Sequence, residues 1–146
     1  MNSKSYTIYH NLVISTTTKK LFDAISKPKE LINWWPLNCT GEEKVNSEYN
    51  FNFTDAYNWF GRVTDYTPGK TFHIQMTKAD KDWNSTSFGF DIEKLSNDKV
   101  QLYFWHKNWQ QCNAKFKQSS YCWAMLLNGL KNYIEKGIII PFDERE

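Results

Sequence analysis

Arginine is almost absent from this sequence, which has only Arg62 and Arg145 among its 18 basic residues. Nucleic-acid-binding domains usually present a clustered basic face that is rich in arginine. Here lysines are mixed with 16 acidic residues, and the net charge is only +2. We therefore expect a mixed, solvated surface and no nucleic-acid partner.

Long apolar runs are absent as well. No segment approaches the roughly 20 apolar residues that cross a bilayer, and the opening "MNSKSYTIYH" lacks the apolar centre of a signal peptide. Cys39, Cys112 and Cys122 are odd in number and show no metal-ligand spacing. The sequence therefore predicts a cytoplasmic protein with reduced thiols and no membrane contact.

The sequence also lacks the known catalytic and cofactor-binding motifs. The sequence has no Gly-x-Ser-x-Gly segment, no phosphate-binding glycine loop and no His-Glu-x-x-His segment. Asp23, Asp91 and Glu93 are isolated carboxylates, and no histidine stands at metal-ligand spacing from a second ligand. The sequence therefore predicts binding rather than catalysis, with no catalytic residue, no metal and no cofactor.

Aromatic residues, by contrast, are abundant. Seven Trp, eight Tyr and ten Phe make up 17% of the chain. Their large rings can fill a core, line a cavity or do both. Because 146 residues are enough to bury such a core once, we expect a single domain that spans residues 1–146.

Alternation of apolar and polar residues predicts a series of strands. Each alternating segment has one consistently apolar face, which is typical of an antiparallel meander packed on one side. Within the last strand, His106 shares the apolar face with Leu102 and Phe104. The predicted strands are 6–15, 47–53, 59–66, 71–77, 85–95 and 100–107.

Three helices complete the predicted α+β fold. Threonines after the first strand and then Pro28 indicate the starts of two short helices. From about residue 115 the apolar residues recur every three or four positions, which predicts a long helix over 115–136 that ends before Gly137. We expect its lysines to form a solvated edge, namely Lys115, Lys117, Lys131 and Lys136.

The order of these elements resembles the helix-grip order of START and Bet v 1-like proteins, the SRPBCC superfamily. Four segments are more closely similar to the homologues of the activator of the heat-shock-protein-90 ATPase: "TTTKKLFDAISKPKELINWW", "GRVTDYTPGKTF", "VQLYFWHKNW" and "YCWAMLLNGLKNYIEKG". The resemblance covers nearly the whole chain. It implies a curved antiparallel sheet of about six strands that wraps around the long C-terminal helix, with a cavity between them.

Three functions follow as hypotheses. The excess of aromatic residues on the inward strand faces predicts a cavity that binds a small hydrophobic or aromatic ligand, although the same side chains could simply fill the space. The resemblance implies a second function, a chaperone-accessory protein that stimulates a heat-shock-protein-90 ATPase, with a chaperone or a second copy as partner. It also implies a third, an aromatase- or cyclase-like enzyme. The predicted cavity residues are Trp35, Phe53, Trp59, Phe72, Phe88, Phe104, His106, Trp123 and Leu127.

For Trp35 and His106 the sequence leaves two alternative environments open. Pro36 disfavours helical geometry at Trp35, so we expect Trp34 to stay with the core and Trp35 to face either the core or the mouth of the cavity. His106 should point towards the long helix. Its ring could be satisfied by a backbone carbonyl, as buried polar groups usually are, or could serve as a polar anchor for a ligand.

Overall fold

The computed structural model describes residues 4–145, which form a seven-stranded sheet, two short helices, one long helix and a short 3-10 helix. The strands are β1 Tyr6–Ile14, β2 Asn38–Thr40, β3 Glu48–Thr54, β4 Tyr57–Thr67, β5 Thr71–Lys78, β6 Ser87–Ser96 and β7 Lys99–Trp109. The helices are α1 Thr18–Ser26, α2 Pro28–Leu31 and α3 Ala114–Lys136, and the 3-10 helix is Phe142–Glu144.

The sheet is antiparallel throughout, in the order β1-β7-β6-β5-β4-β3-β2. The six predicted strands are all present. The additional strand, β2, has only three residues and pairs with β3, so it is too short to show an alternating pattern. The predicted α+β helix-grip fold is confirmed, with one strand more than the sequence indicated.

Strand residues alternate in burial as their sequence predicts. In β5, Phe72, Ile74 and Met76 are buried, while His73 and Gln75 lie half-buried on the opposite, outer face. The register between β4 and β5 shifts at Gly61, where a Cβ atom would come within 2.5 Å of Cγ2 of Ile74. β4 is therefore irregular at Gly61, and the lack of a side chain there lets the two strands approach closely.

Local capping explains where the helices begin and end. The Thr17 hydroxyl accepts a hydrogen bond from the Lys20 amide, and the Asn113 side chain accepts one from the Phe116 amide. Gly137 ends α3 in the left-handed region, with a φ of 69°. The long helix thus agrees with the predicted bounds to within one residue. No helix within residues 4–145 has the length and apolarity to cross a membrane.

Two connecting segments meet beside α3. The elbow (residues 32–37) follows α2, and the Trp35 amide still donates to the Leu31 carbonyl at 2.9 Å. The C-terminal segment (residues 138–145) returns to this elbow, where Arg145 Nη1 donates to the Ile32 carbonyl at 2.8 Å. These two segments border the cavity described next.

Candidate ligand cavity

A cavity of about 450 Å³ lies between the sheet and the N-terminal half of α3. Its walls come from the elbow, the β3–β4 hairpin, the loop between β5 and β6, α3 and the 3-10 helix. That volume is within the usual range for sites that hold small molecules. The lining residues are Trp35, Phe53, Thr54, Tyr57, Trp59, Asp80, Trp83, Lys115, Gln118, Ser119, Cys122, Trp123, Leu126, Phe142, Asp143 and Arg145.

Seven of the sixteen lining residues carry aromatic rings. The ring centroids of Trp35 and Trp123 are 4.8 Å apart, and those of Trp59 and Trp83 are also 4.8 Å apart. Trp83 and Trp123 stack at 5.8 Å, so the four indoles form one continuous surface. Rings at these separations attract one another beyond the area that they bury. The wall is therefore a connected aromatic surface.

Trp83 enters this wall from a loop that the sequence marked only as polar. The loop turns through hydrogen bonds from the Trp83 amide to the Asp80 carbonyl and from the Thr86 amide to the Trp83 carbonyl. The indole nitrogen of Trp83 then donates to the Ser119 hydroxyl on α3 at 3.0 Å. The loop is thereby fixed to the helix across the cavity.

His106 lies behind the wall and fixes Trp123. The Trp123 indole, which can only donate, donates to Nδ1 of His106 at 3.0 Å. The proton of a neutral ring must then be on Nε2, which donates to the Thr86 hydroxyl at 2.7 Å, and that hydroxyl donates to the Trp83 carbonyl at 2.6 Å. Burial lowers the pKa of His106 to about 3. The ring is therefore neutral and has a single tautomer.

The partners of His106 differ from the expected backbone carbonyl. Two side chains, Thr86 and Trp123, satisfy both ring nitrogens, so neither nitrogen has a hydrogen-bonding position left for a ligand. The ring is fully buried and packs edge-on against Trp83 at 4.5 Å. His106 consequently positions two of the four indoles of the wall, Trp83 and Trp123.

The predicted cavity residues divide into two groups. Trp35, Phe53, Trp59 and Trp123 line the cavity. The others are buried in the core outside its lining, because an inward strand face continues past the part of the sheet that the cavity occupies. This second group is Phe72, Phe88, Phe104, His106 and Leu127.

Sequence reasoning missed several lining residues. Trp83 carried a signal, since a tryptophan in a polar loop is unusual for a solvated turn, but the alternating pattern gives a loop residue no direction. Phe142 and Arg145 come from the C-terminal segment, for which we predicted no element. Lys115, expected on a solvated edge, is half-buried at the end of the cavity.

Arg145 is the most constrained charged group at the cavity. Its Nε donates to the Ile140 carbonyl at 2.8 Å, and its Nη1 lies 2.8 Å from the Ile32 carbonyl and 3.3 Å from those of Trp35 and Pro36. The side chain thereby joins the C-terminal segment to the elbow. Burial lowers the pKa of the guanidinium from its ordinary value.

The arrangement suits binding by stacking and by a few polar contacts. Most of the lining is aromatic or aliphatic, while Lys115, Arg145, Asp80 and Asp143 supply charge. The lining residues include no histidine. Within residues 4–145, no three His, Cys, Asp or Glu side chains are grouped so as to hold a metal ion.

Comparison with known proteins identifies the family. The family model described as Activator of Hsp90 ATPase homolog 1-like protein matches residues 15–135. The solution structure of the Aha1 dimer from Colwellia psychrerythraea is 26% identical, with a TM-score of 0.81 over 90% of this chain and 98% of that chain. A comparison with curated proteins gave no significant match.

More distant structures share the fold. A conserved protein of unknown function from Enterococcus faecalis is 17% identical, with a TM-score of 0.78 over 99% of this chain and 82% of its own. A protein from Mesorhizobium loti is 14% identical, with a TM-score of 0.79 over 92% of this chain and 100% of its own. Because the family model covers most of the sequence, this chain belongs to the Activator of Hsp90 ATPase homolog 1-like family.

Proposed function

We propose that this protein binds a small apolar or aromatic ligand in the cavity. The observation that carries the proposal is the connected surface of four indoles, from Trp35, Trp59, Trp83 and Trp123, around a volume of about 450 Å³. Flat rings of this kind bind flat or apolar molecules through stacking and through burial of apolar area.

Preorganisation of the wall supports the proposal. Two of the four indoles are held by hydrogen bonds, Trp83 by Ser119 in the lining and Trp123 by His106 behind the wall. A ligand that enters such a site does not have to order these side chains, and that ordering would otherwise oppose binding. Binding of a ligand would therefore not require these two side chains to become ordered first.

Intrinsic tryptophan fluorescence tests the proposal directly, because the rings that would contact the ligand also report on it. We expect saturable quenching by flat aromatic probes such as naphthalene derivatives. Trp59→Ala should weaken binding by about tenfold or more, since a stacked ring contributes roughly 1–3 kcal/mol. Trp105→Ala is the matched control, because Trp105 is also half-buried but lies on the outer face beside His73 and Asp91.

A cavity-filling variant makes the test independent of ring removal. Leu126 lines the cavity from α3 and is half-buried, so Leu126→Trp should occupy the space that a ligand needs. We expect it to keep the fold, as judged by circular dichroism, and to lose probe binding. Titrations that stay flat with the parent protein, or that are unaffected by Leu126→Trp, would refute ligand binding in this cavity.

A second candidate function is an accessory role with a heat-shock-protein-90 ATPase. Its support is membership of the Activator of Hsp90 ATPase homolog 1-like family over residues 15–135. ATPase assays of the cognate chaperone with and without this protein test it, and an unchanged rate together with no complex in a pull-down would refute it. The similar Colwellia protein is a dimer, so analytical ultracentrifugation should accompany the assay and would show whether this chain also self-associates.

A further inference from the structure

We propose that the cavity selects ligands that carry a carboxylate beside an aromatic ring, and that Arg145 recognises the carboxylate. This inference rests on the proposed ligand-binding function and narrows it to one chemical class. Its basis is a half-buried guanidinium at the edge of an aromatic cavity, held by main-chain carbonyls and lying 5.9 Å from the centre of the Phe142 ring.

The hydrogen bonds of Arg145 leave one of its amino groups available. An arginine side chain has five N–H groups in a planar fork. The Nε and Nη1 groups donate to main-chain carbonyls of the C-terminal segment and the elbow. No acceptor for Nη2 is found within residues 4–145, and we assign its two N–H groups to the ligand.

The charge of Arg145 is also unbalanced within the described part of the chain. The ion pairs among residues 4–145 involve other side chains, and none includes Arg145. A cation that is partly removed from water and lacks a counter-ion is costly, and the lowered pKa of this guanidinium reflects that burial. A ligand carboxylate would supply the counter-charge through charge-assisted hydrogen bonds.

The other charged groups of the lining oppose an anion beside Arg145 only weakly. Lys115 lies eleven residues before Leu126 on α3, which separates them by about 16 Å along the helix. Asp80 is half-buried and lies just before Trp83, near the Lys115 end, whereas Asp143 is exposed. Water screens an exposed charge strongly, so Asp143 opposes an anion less than the half-buried Arg145 attracts one.

The same lining also contains groups that attract a positively charged ligand. Indole faces attract cations, so four tryptophans and two carboxylates could hold an aromatic ammonium instead. The fixed guanidinium argues against this, because a ligand cation would have to lie beside an arginine that does not move away. The two charge signs are therefore distinguishable by experiment.

Three matched probes test the proposal: naphthalene-2-carboxylate, naphthalene-2-carboxamide and 2-naphthylmethylammonium, each titrated near neutral pH. We expect the carboxylate to bind the parent protein at least about tenfold more tightly than the amide, as charge-assisted hydrogen bonds allow, and the ammonium to bind most weakly. Arg145→Gln should bring the carboxylate to the level of the amide while the affinity for the amide stays the same.

Arg62→Gln is the matched control, because Arg62 is exposed on the outer face and bonds only to Asn46 and Gln75 among the described residues. It removes the same charge and should keep the preference for the carboxylate. Lys115→Gln should also keep most of that preference. If Lys115→Gln, rather than Arg145→Gln, abolishes it, the assignment to Arg145 is wrong.

The remaining outcomes separate the two proposals. If none of the probes binds, ligand binding in the cavity fails and this inference fails with it. If the carboxylate and the amide bind the parent protein equally, or the ammonium binds best, the inference is overturned while ligand binding stands. If Arg145→Gln weakens the carboxylate and the amide by the same factor, Arg145 is only a structural link between the C-terminal segment and the elbow.

Discussion

The two ends of the space between the sheet and α3 are built from different side chains. At the packed end, beside α1, completely buried aliphatic residues pack together with the rings of Phe22 and Trp34; these aliphatic residues include Ile14, Ile25, Val100, Leu102 and Leu130. At the open end, beside the β3–β4 hairpin, indoles surround a volume of about 450 Å³. Small branched side chains interlock at high density, whereas flat aromatic rings contact one another at tilted interplanar angles.

Polar contacts at the open end prevent the rings from collapsing into the cavity. Trp83 and Trp123 each donate an indole hydrogen to a partner at their edge, Ser119 and His106 respectively. Moving either ring inward would break that hydrogen bond and leave a buried donor unpaired, which costs about 1–3 kcal/mol. The difference between the ends is thus one of both shape and hydrogen bonding, and paired substitutions can test it.

The largest contrast is expected between the neighbouring residues Trp34 and Trp35. Both are buried, at 3% and 4% exposure, but only Trp35 lines the large cavity. Trp34 donates to the Ala24 carbonyl at 2.9 Å and packs edge-on against Phe90. Trp34→Ala should lower the free energy of unfolding by about 3–5 kcal/mol, as large truncations in a packed core do.

Trp35→Ala should cost distinctly less than Trp34→Ala, because Trp35 lines the cavity and water can enter the space that its truncation leaves. Its remaining contacts, such as those with Phe51 and Trp123 at 4.9 and 4.8 Å, still make the change destabilising. Urea unfolding of both variants measures the difference. Equal losses would mean that the cavity is filled in solution, and the distinction between the two ends would disappear.

A second pair compares the two ends within one helix. Leu130 is completely buried at the packed end, while Leu126, one turn earlier on α3, is half-buried against the cavity. Leu130→Ala should cost about 2–5 kcal/mol. Leu126→Ala should cost about 1 kcal/mol, because it enlarges an existing cavity and removes less buried area. Denaturant midpoints that shift equally would contradict this assignment of the two ends.

Most of the fold could be predicted from the sequence because its signals are local. The alternation Phe72, Ile74, Met76 identifies a strand whatever its partners are, and the Asn113 and Gly137 caps of α3 lie beside the helix that they bound. β2 escaped prediction because three residues give no period. Its pairing depends on β3, which lies some residues further along the chain.

The cavity was less predictable because it depends on distant segments. Strand parity showed that Phe53 and Phe72 both face inward, but it could not show that only Phe53 lies at the open end. Trp83 and Arg145 reach the cavity through a loop and a chain terminus, where no periodic pattern gives the direction of a side chain. The two side chains that hold His106 on β7 likewise come from α3 and from the residue before β6.

His106 makes the open end sensitive to pH. Its pKa falls from 6.5 to about 3 on burial, so between those values the unfolded chain binds a proton that the folded chain does not. Stability from this group is therefore complete above about pH 6.5 and is lost as the pH falls, by about 1.4 kcal/mol per pH unit. Between pH 6.5 and 5 the loss should be about 2 kcal/mol.

Comparison with His106→Gln isolates this contribution, because the two proteins differ only at this residue. The variant should be less stable near neutral pH, since Gln does not reproduce the contacts with Thr86 and Trp123. Its free energy of unfolding should fall less steeply between pH 6.5 and 5. Parallel pH profiles would show that His106 is protonated in the folded protein, and that the open end is wetter than its burial indicates.

One hydroxyl can also be removed at each end, and the smallest effect of all is expected at Thr16. Thr86 at the open end accepts from His106 and donates to the Trp83 carbonyl, so Thr86→Val should cost about 1–3 kcal/mol by leaving a buried N–H group unpaired. Thr16 at the packed end is buried, and its hydroxyl has no hydrogen-bond partner within residues 4–145. Thr16→Val should therefore change the free energy of unfolding by about 0.5 kcal/mol or less, or stabilise the protein slightly, because an unpaired polar atom becomes an apolar one. Thermal and urea unfolding of the two variants measure this pair, and a cost at Thr16 equal to that at Thr86 would show that hydrogen bonding does not distinguish the two ends.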